Sequence, residues 1–151
     1  MKARCMLISL LAAAILLLCV AVFAQVDRPY RNGSVWNIAF IKVKAGMNEA
    51  YMNHLATQWK NIREAEKKEG LILSYKVLAT EEHGAGDWNL MLMVEYKDLA
   101  TMEANQVKQD AVLQRVIGDD QKQMQGYKER TEIREIVGER LAREIILEPR
   151  R

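Results

Sequence analysis

The chain has 151 residues, of which 50% are hydrophobic and 28% are charged, and its 22 Lys and Arg residues against 20 Asp and Glu give a formal net charge of +2. This length and composition are typical of one small globular domain. Because nucleic-acid binding needs a concentrated positive surface, charges this close to balance argue against a nucleic-acid partner.

The first 24 residues are typical of an export signal. Lys2 and Arg4 precede an apolar run that ends at Val20, and Ala24 suits the last position before a signal peptidase cut. We therefore expect cleavage before Gln25, a secreted or periplasmic product, and no stable membrane insertion after cleavage. A retained membrane anchor is the alternative, because the apolar run is near the shortest length that spans a bilayer.

Disulfide and metal chemistry are not expected in the mature chain. Both cysteines, Cys5 and Cys19, lie in the leader, so no disulfide and no thiolate metal site is available after cleavage. The two histidines, His54 and His83, form no HxH or HxxxH pair. We therefore expect no metal and no cofactor.

The mature chain opens with an exposed lead-in at residues 25–33. The next stretch, SVWNIAFIKVK, spans residues 34–44 and is apolar on both alternating sides, which predicts a strand covered on both faces. Apolar residues at helical spacing from Met47 to Lys68 then predict a helix that Gly70 ends.

Two strands are predicted next, at residues 71–80 and 87–96, joined by a hairpin loop that contains two glycines. Asp98 is a good N-cap for a second helix, which ends at Gly118. The following residues predict one or two further helical turns.

The chain ends with a fourth strand, predicted at residues 132–137. Residues 138–151 form an extension that we expect to pack on the domain or on a dimer partner. This extension is also where a partner of the cell envelope would be sought.

The order strand, helix, strand, strand, helix, strand predicts an α+β domain at residues 34–137 with the ferredoxin-like βαββαβ arrangement. In this arrangement an antiparallel four-stranded sheet carries its helices on one face. The apolar second face then needs another cover, and a second copy of the same sheet is the most economical one. We therefore predict a homodimer, a dimeric α+β barrel, whose sheets pack face to face.

Three passages, IKVKAGMNEAY, MLMVEYKDLATMEA and EIREIVGE, resemble the dimeric α+β barrel superfamily, which includes antibiotic-biosynthesis monooxygenases, haem-degrading monooxygenases and stress-responsive proteins. The resemblance is to a fold. Haem-degrading members carry a haem-ligating histidine on the second helix, where this chain has none, so haem is not expected. Cofactor-independent members use Asn, Trp and Tyr side chains near an aromatic substrate, and Asn37, Trp88 and Tyr96 match that set.

The candidate catalytic residues are Asn37, His54, His83 and Tyr96. Histidine is suited to act as a general base because its pKa lies near neutrality. His54 is equally compatible with a plain position at the border of a helix. His83 belongs to the loop 81–89, which either carries function over the mouth of the fold or forms a simple polar hairpin turn.

The candidate ligand-binding residues are Trp88, Asn89, Met91 and Met93. The two methionines alternate with leucines and so lie on one face of the third strand. They are either an adaptable pocket wall or gap-filling side chains at a dimer interface. By the same alternation, Trp88 is expected on the same face as Tyr96.

These patterns leave three functions open. The favoured one is an exported dimeric protein that binds a small apolar or aromatic molecule in a cleft between sheet and helices. The second is a cofactor-independent monooxygenase or isomerase for an aromatic or enolisable substrate, which requires Asn37, Tyr96 and a histidine to reach one cavity. The third is a structural or interaction protein of the cell envelope.

Overall fold

The computed structural model describes residues 28–84 and 86–148, so the predicted signal peptide and its cleavage site lie outside the described residues. The strands are β1 (Tyr30–Val43), β2 (Ser74–Ala79), β3 (Leu90–Tyr96) and β4 (Arg134–Leu147). The helices are α1 (Asn48–His54), α2 (Lys60–Lys68), α3 (Leu99–Ala104), α4 (Gln106–Val116) and α5 (Asp120–Ile133), and a π-helical segment (Leu55–Trp59) joins α1 to α2.

The four strands form one sheet in the order β2-β3-β1-β4. β3 runs antiparallel to both β1 and β2. Together with the chain order of strands and helices, this strand order is the ferredoxin-like α+β arrangement, so the predicted fold class is confirmed. β1 is a central strand, and its pairing with β3 covers residues 35–41.

Side chains of the two central strands alternate between a packed face and an open face. The helices pack on the first of these, which we call the helix-side face, where the alternate side chains are buried. The other face is apolar as well, but its side chains are only half-buried. Buried on the helix-side face are Val35, Ile41, Leu90, Leu92, Val94 and Tyr96; half-buried on the open face are Trp36, Ile38, Phe40, Met91 and Met93.

The predicted first helix is present, but its middle turn is widened into the π-helical segment. Tyr51, Leu55 and Ile62 are buried along its inner side, as the apolar spacing predicts. The hydroxyl of Thr57 donates a hydrogen bond of 2.7 Å to the carbonyl oxygen of Asn53. A side chain that takes the carbonyl four residues back competes with the backbone and bends helices, which is consistent with the irregular turn at this point.

The predicted caps of the later helices are also present. The Asp98 side chain accepts a hydrogen bond from the backbone N–H of Thr101 at the start of α3. Gly118 has a φ of +123°, a conformation that favours glycine, and lies just before α5. The side chain of Asp119 caps α5, which continues to Ile133 and is therefore longer than the predicted one or two turns.

The sheet extends beyond both ends of the predicted domain, residues 34–137. β1 begins at Tyr30, inside the predicted lead-in, and β4 continues to Leu147, through most of the predicted extension. The reason is that β4 follows β1 along most of its length. The backbone N–H of Lys44 donates to the carbonyl of Ile133 at one end, and the hydroxyl of Ser34 donates to the Glu144 carboxylate near the other.

Residues 32–146 form one compact unit, and the described chain ends belong to a second. Gly33, in the first unit, permits the close approach of the strands, since a Cβ there would lie 2.5 Å from the Glu144 carboxylate. Within the second unit, Arg31 forms an ion pair of 2.6 Å with Glu148, and the backbone N–H of Glu148 donates to the carbonyl of Pro29.

Asn89 holds the loop between β2 and β3 against β1. Its Oδ1 accepts a hydrogen bond of 3.0 Å from the backbone N–H of Val43, and its Nδ2 donates one of 2.8 Å to Glu82. Its backbone N–H also donates to the carbonyl of Ile41. Asn89 was predicted to bind ligand, but its side chain is engaged in closing this loop.

We expect Asn89→Ala to lower the free energy of unfolding by about 1–2 kcal/mol, because the partly buried N–H of Val43 loses its acceptor. Chemical denaturation measures the change. Glu82→Ala is the matched control: it removes only the exposed hydrogen bond and a loose ion pair with Lys42, so we expect a loss below about 0.5 kcal/mol. Equal losses in the two variants would contradict the role given to the Asn89 oxygen.

Candidate functional site

A partly open cavity of about 820 Å³ lies between the helix-side face of the sheet and the helices. Its floor is formed by alternate residues of the two central strands, namely Asn37, Ala39, Ile41, Leu92 and Val94. The first helix, α4, α5 and the start of β4 supply its walls. Because Ala39 is small and lies between larger neighbours on β1, the helix-side face has room for a cavity at this point.

The π-helical segment supplies two neighbouring wall residues, Gln58 and Trp59. Single π-helical turns occur frequently at functional sites, where they re-aim side chains. The Trp59 ring makes an edge-to-face contact with Tyr75, with ring centroids 5.3 Å apart, and the Arg63 guanidinium lies 5.8 Å from its centroid. The indole therefore forms a fixed wall of the cavity.

One wall carries four polar groups that act on one another by contact or by charge, which we call the basic cluster: Tyr51, His54, Arg130 and Arg134. All four line the cavity. The rings of Tyr51 and His54 stack at a centroid distance of 5.9 Å and an interplanar angle of 20°. The Arg134 guanidinium lies 5.7 Å from the centroid of the Tyr51 ring. Arg130 belongs to the last turn of α5, and its guanidinium lies 5.9 Å from the centroid of the Tyr127 ring.

Burial and charge both act on the histidine of the basic cluster. Burial first, and then the positive charges of Arg130 and Arg134, together lower the pKa of His54 from its usual 6.5 to about 4. His54 is therefore a neutral imidazole at neutral pH. Burial raises the pKa of the Tyr51 hydroxyl, against the opposing effect of the same two arginines.

The three arginines that line the cavity differ in their partners. Arg63 forms an ion pair of 2.9 Å with Glu66, which is only 2% exposed. Burial raises the pKa of Glu66 and the charge of Arg63 opposes that rise. Within residues 28–84 and 86–148, neither Arg130 nor Arg134 has a carboxylate within ion-pair distance.

The structure brings two of the four candidate catalytic residues to the cavity. Asn37 lies on its floor and His54 on its wall. Tyr96 is on the same face of the sheet, but it is buried in a separate cluster with Ile72 and Val94 and does not line the cavity. His83 lies in the exposed loop before β3, where its backbone N–H donates to Asp87. The combination of Asn37, Tyr96 and a histidine in one cavity is therefore wrong.

The predicted ligand-binding residues Trp88, Met91 and Met93 do not line the cavity either. The methionines belong to the open face of the sheet. The Trp88 ring packs against Phe40 on that same face, with centroids 4.9 Å apart. Trp88 was expected to share a face with Tyr96, but β3 begins only at Leu90, so the strand alternation does not extend back to Trp88.

Three residues of the cavity wall were not predicted as site residues from the sequence: Tyr127, Arg130 and Arg134. A signal was available, since Tyr127 and Arg130 are one helical turn apart and Arg134 follows one turn later. Placing the start of β4 at Glu132 concealed it. Only a helix that continues to Ile133 carries the first two residues on one face and leaves Arg134 as the first residue of the strand.

Two further features, a metal site and a membrane-spanning helix, are not found in the described part of the chain. Among the described residues, no three His, Cys, Asp or Glu side chains come together in a way that would hold a metal ion. None of the helices in residues 28–84 and 86–148 combines the length and the apolar character that crossing a membrane requires.

Comparisons with known proteins concern the fold. No protein-family profile matches the sequence, and no curated protein matches it. A NIPSNAP family protein of unknown function from Agrobacterium tumefaciens strain C58 is similar in structure, with a TM-score of 0.43 and 14% identity over 78% of this chain and 90% of that chain. A dimeric ferredoxin-like protein from an uncultured marine organism has a TM-score of 0.38 and 18% identity over 78% of this chain and 95% of that chain.

This chain has a ferredoxin-like fold. Its strand order and antiparallel pairing establish that independently of any relative. At these identities and TM-scores, the two similar structures carry no information about the chemistry of the cavity.

The depressed pKa of His54 predicts a pH dependence of stability. Between pH 6.5 and about 4 the unfolded chain binds a proton at this residue that the folded chain does not, so stability falls as the pH falls through this window and levels off below it. We expect the wild type to lose on the order of 5 °C more in Tm than His54→Gln between pH 7 and 4. Differential scanning calorimetry at a series of pH values measures this.

His83→Gln is the control for this experiment, because His83 lies in an exposed loop outside the cavity. Its Tm profile should follow that of the wild type. Carboxylates that titrate in the same range contribute equally to all three proteins and cancel in the comparison. Parallel profiles for the wild type and His54→Gln would show that His54 is not held neutral by the fold.

Proposed function

We propose that this protein binds a small molecule with an apolar or aromatic body in the cavity between its sheet and its helices. The observation that supports this most directly is the cavity itself, of about 820 Å³. Sites for small organic ligands in proteins occupy roughly 300–1,000 Å³ and are lined mainly by apolar side chains with a few polar ones. The cavity matches that description in size, and the larger part of its lining is apolar or aromatic.

The lining also suggests how such a ligand is held. Ala39, Leu92 and Val94 give an apolar floor, and the fixed indole of Trp59 gives an aromatic wall. Aromatic and aliphatic surfaces of this kind contribute about 25 cal/mol for each Å² of apolar ligand surface that they remove from water. The side-chain amide of Asn37 is the polar group on the floor that would orient the ligand.

Binding is favoured over catalysis because the residues expected to carry a reaction are dispersed. Of Asn37, His54, His83 and Tyr96, only the first two share the cavity. His54 is neutral, and its lowered pKa makes it a weaker base than an ordinary histidine. A binding role needs no more than the cavity and its lining.

We further propose that two copies associate through the open face of the sheet. Trp36, Ile38, Phe40, Met91 and Met93 are half-buried there, and Leu78 on β2 is 49% exposed. Soluble proteins seldom leave a contiguous patch of large apolar side chains facing water. A second copy of the same face would remove it from solvent.

The charges on the open face are compatible with that partner. Lys76 and Glu95 both lie on this face, and the Lys76 ammonium lies 5.0 Å from the ring centroid of Trp36. A twofold interface must be complementary to itself, and a face on which a cation and an anion both lie within an apolar patch meets that requirement. The pairing would be reciprocal between the two copies.

Ligand binding can be tested with the neutral fluorescent probe N-phenylnaphthylamine, whose emission rises on entry into an apolar site. We expect saturable binding by the wild type and at least about tenfold weaker binding by Ala39→Phe, because the added ring fills the cavity from its floor. Val107→Phe is the control, since Val107 is 80% exposed on α4 and lines neither the cavity nor the open face. Calorimetry verifies that each variant is folded.

A second cavity variant, Met124→Trp, fills the cavity from the more exposed α5 wall and should weaken probe binding without disturbing the core. The proposal would be wrong if the wild type bound no probe. It would also be wrong if both cavity variants bound the probe as tightly as Val107→Phe does.

Association through the open face predicts a dimer in sedimentation velocity and a monomer for Phe40→Asp, because a carboxylate in the middle of the apolar patch is costly to desolvate. The control is Val107→Asp, on an α4 residue that is 80% exposed, which should leave the dimer intact. A wild type that sediments as a monomer at micromolar concentration would refute the dimer.

A further inference from the structure

Two arginines that line the cavity form no ion pair with any carboxylate in residues 28–84 and 86–148. Arg130 and Arg134 both line it, and both act on His54 and on the Tyr51 hydroxyl through their charges. In the described part of the chain, neither has a carboxylate within 4 Å. The Nε of Arg134 is buried with no hydrogen-bond partner among those residues.

This arrangement costs stability in the unliganded protein. The pKa of Arg130 is lowered, first by burial and then by the neighbouring charge of Arg134. Both effects mean that a positive charge is held where solvent is restricted and where a like charge is close. The third arginine of the cavity, Arg63, does have an acidic partner, Glu66. Arg130 and Arg134 differ from it in this respect within the described residues.

The two acidic groups that line the cavity do not remove this positive charge. Asp120 and Glu139 are exposed, whereas Arg130 and Arg134 are half-buried. Charges in water are strongly screened, and charges removed from water are not. The half-buried part of the cavity is therefore positive, and its exposed rim carries the acidic side chains.

We propose that the ligand is an organic acid, with its carboxylate held between Arg130 and Arg134 and its apolar body on the floor of the cavity. This inference rests on the proposed binding function and names the class of ligand. Guanidinium groups bind carboxylates in a planar, two-point geometry. A single carboxylate would give the buried Nε of Arg134 an acceptor and would reduce the repulsion between the two arginines.

A monoanion fits this site better than a dianion. A carboxylate offsets one of two neighbouring positive charges, and the acidic rim at Asp120 and Glu139 would repel a second negative charge on the ligand. His54, neutral and stacked on Tyr51, has a ring N–H to donate to the same carboxylate.

The test compares naphthaleneacetate with naphthaleneacetamide, which share a body and differ in the charge of one group. Isothermal titration calorimetry with the full chain should show the acid binding about tenfold or more tightly than the amide, the effect expected for a charge-assisted hydrogen bond. Arg130→Gln and Arg134→Gln should each remove most of that preference while leaving amide binding within about twofold.

Lys128→Gln is the matched control, because it removes one positive charge from α5 at an exposed position outside the cavity. It should keep the preference for the acid. Since each arginine substitution relieves repulsion between like charges, both variants should melt no lower than the wild type, which separates a lost site from a lost fold.

A second readout is the NMR titration of the two histidines. Binding of the acid should raise the pKa of His54 from about 4, because a negative charge next to the imidazole favours its protonated form. The amide should leave it unchanged, and His83 serves as the internal reference.

The outcomes are distinguishable. If the amide binds and the acid binds no more tightly, the organic-acid inference is overturned and the apolar cavity remains. If neither compound binds, the binding function fails as well. An acid preference that survives both arginine substitutions also overturns the inference.

Discussion

The central strand β1 is the constraint on which the rest of the structure depends. It pairs with β3 along one edge and with β4 along the other. This pairing fixes which of its side chains point to each face of the sheet. Alternation of its side chains then places Val35 and Ile41 in the core and Phe40 on the open face. The small side chain of Ala39 leaves space on the helix-side face that the helices do not fill. The cavity is thus a consequence of how one strand is covered.

The cavity wall shows a local conflict between stability and the proposed function. A core made only to stabilise the fold would not place Arg130 and Arg134 beside each other at a half-buried site. The third arginine of the cavity, Arg63, is instead placed next to a carboxylate, that of Glu66. Groups that reduce the stability of the free protein and face a cavity are typical of binding sites, because the ligand supplies the missing interaction.

Much of the fold could be predicted from local sequence, and most of the site could not. Strand alternation, the N-caps at Asp98 and Asp119 and the glycine at Gly118 act through neighbouring residues, so they are visible in the chain. Trp88 was assigned to the wrong face of the sheet because β3 begins only at Leu90. Arg134 was overlooked because the end of α5 was predicted too early. Such boundaries depend on pairing with distant strands, which local patterns do not report.

The sequence by itself determined the class of fold, the two apolar faces of β1 and the expectation of an exported chain, which stays a prediction. These follow from periodicity and composition, which depend on residues close together in the chain. The tertiary structure alone decided that Asn37 and His54 share a cavity, that Tyr96 and His83 do not, and that Arg130 and Arg134 meet there. The groups that share the cavity come from four elements, β1, α1, α5 and β4, and only the packing of the helices against the sheet brings them together.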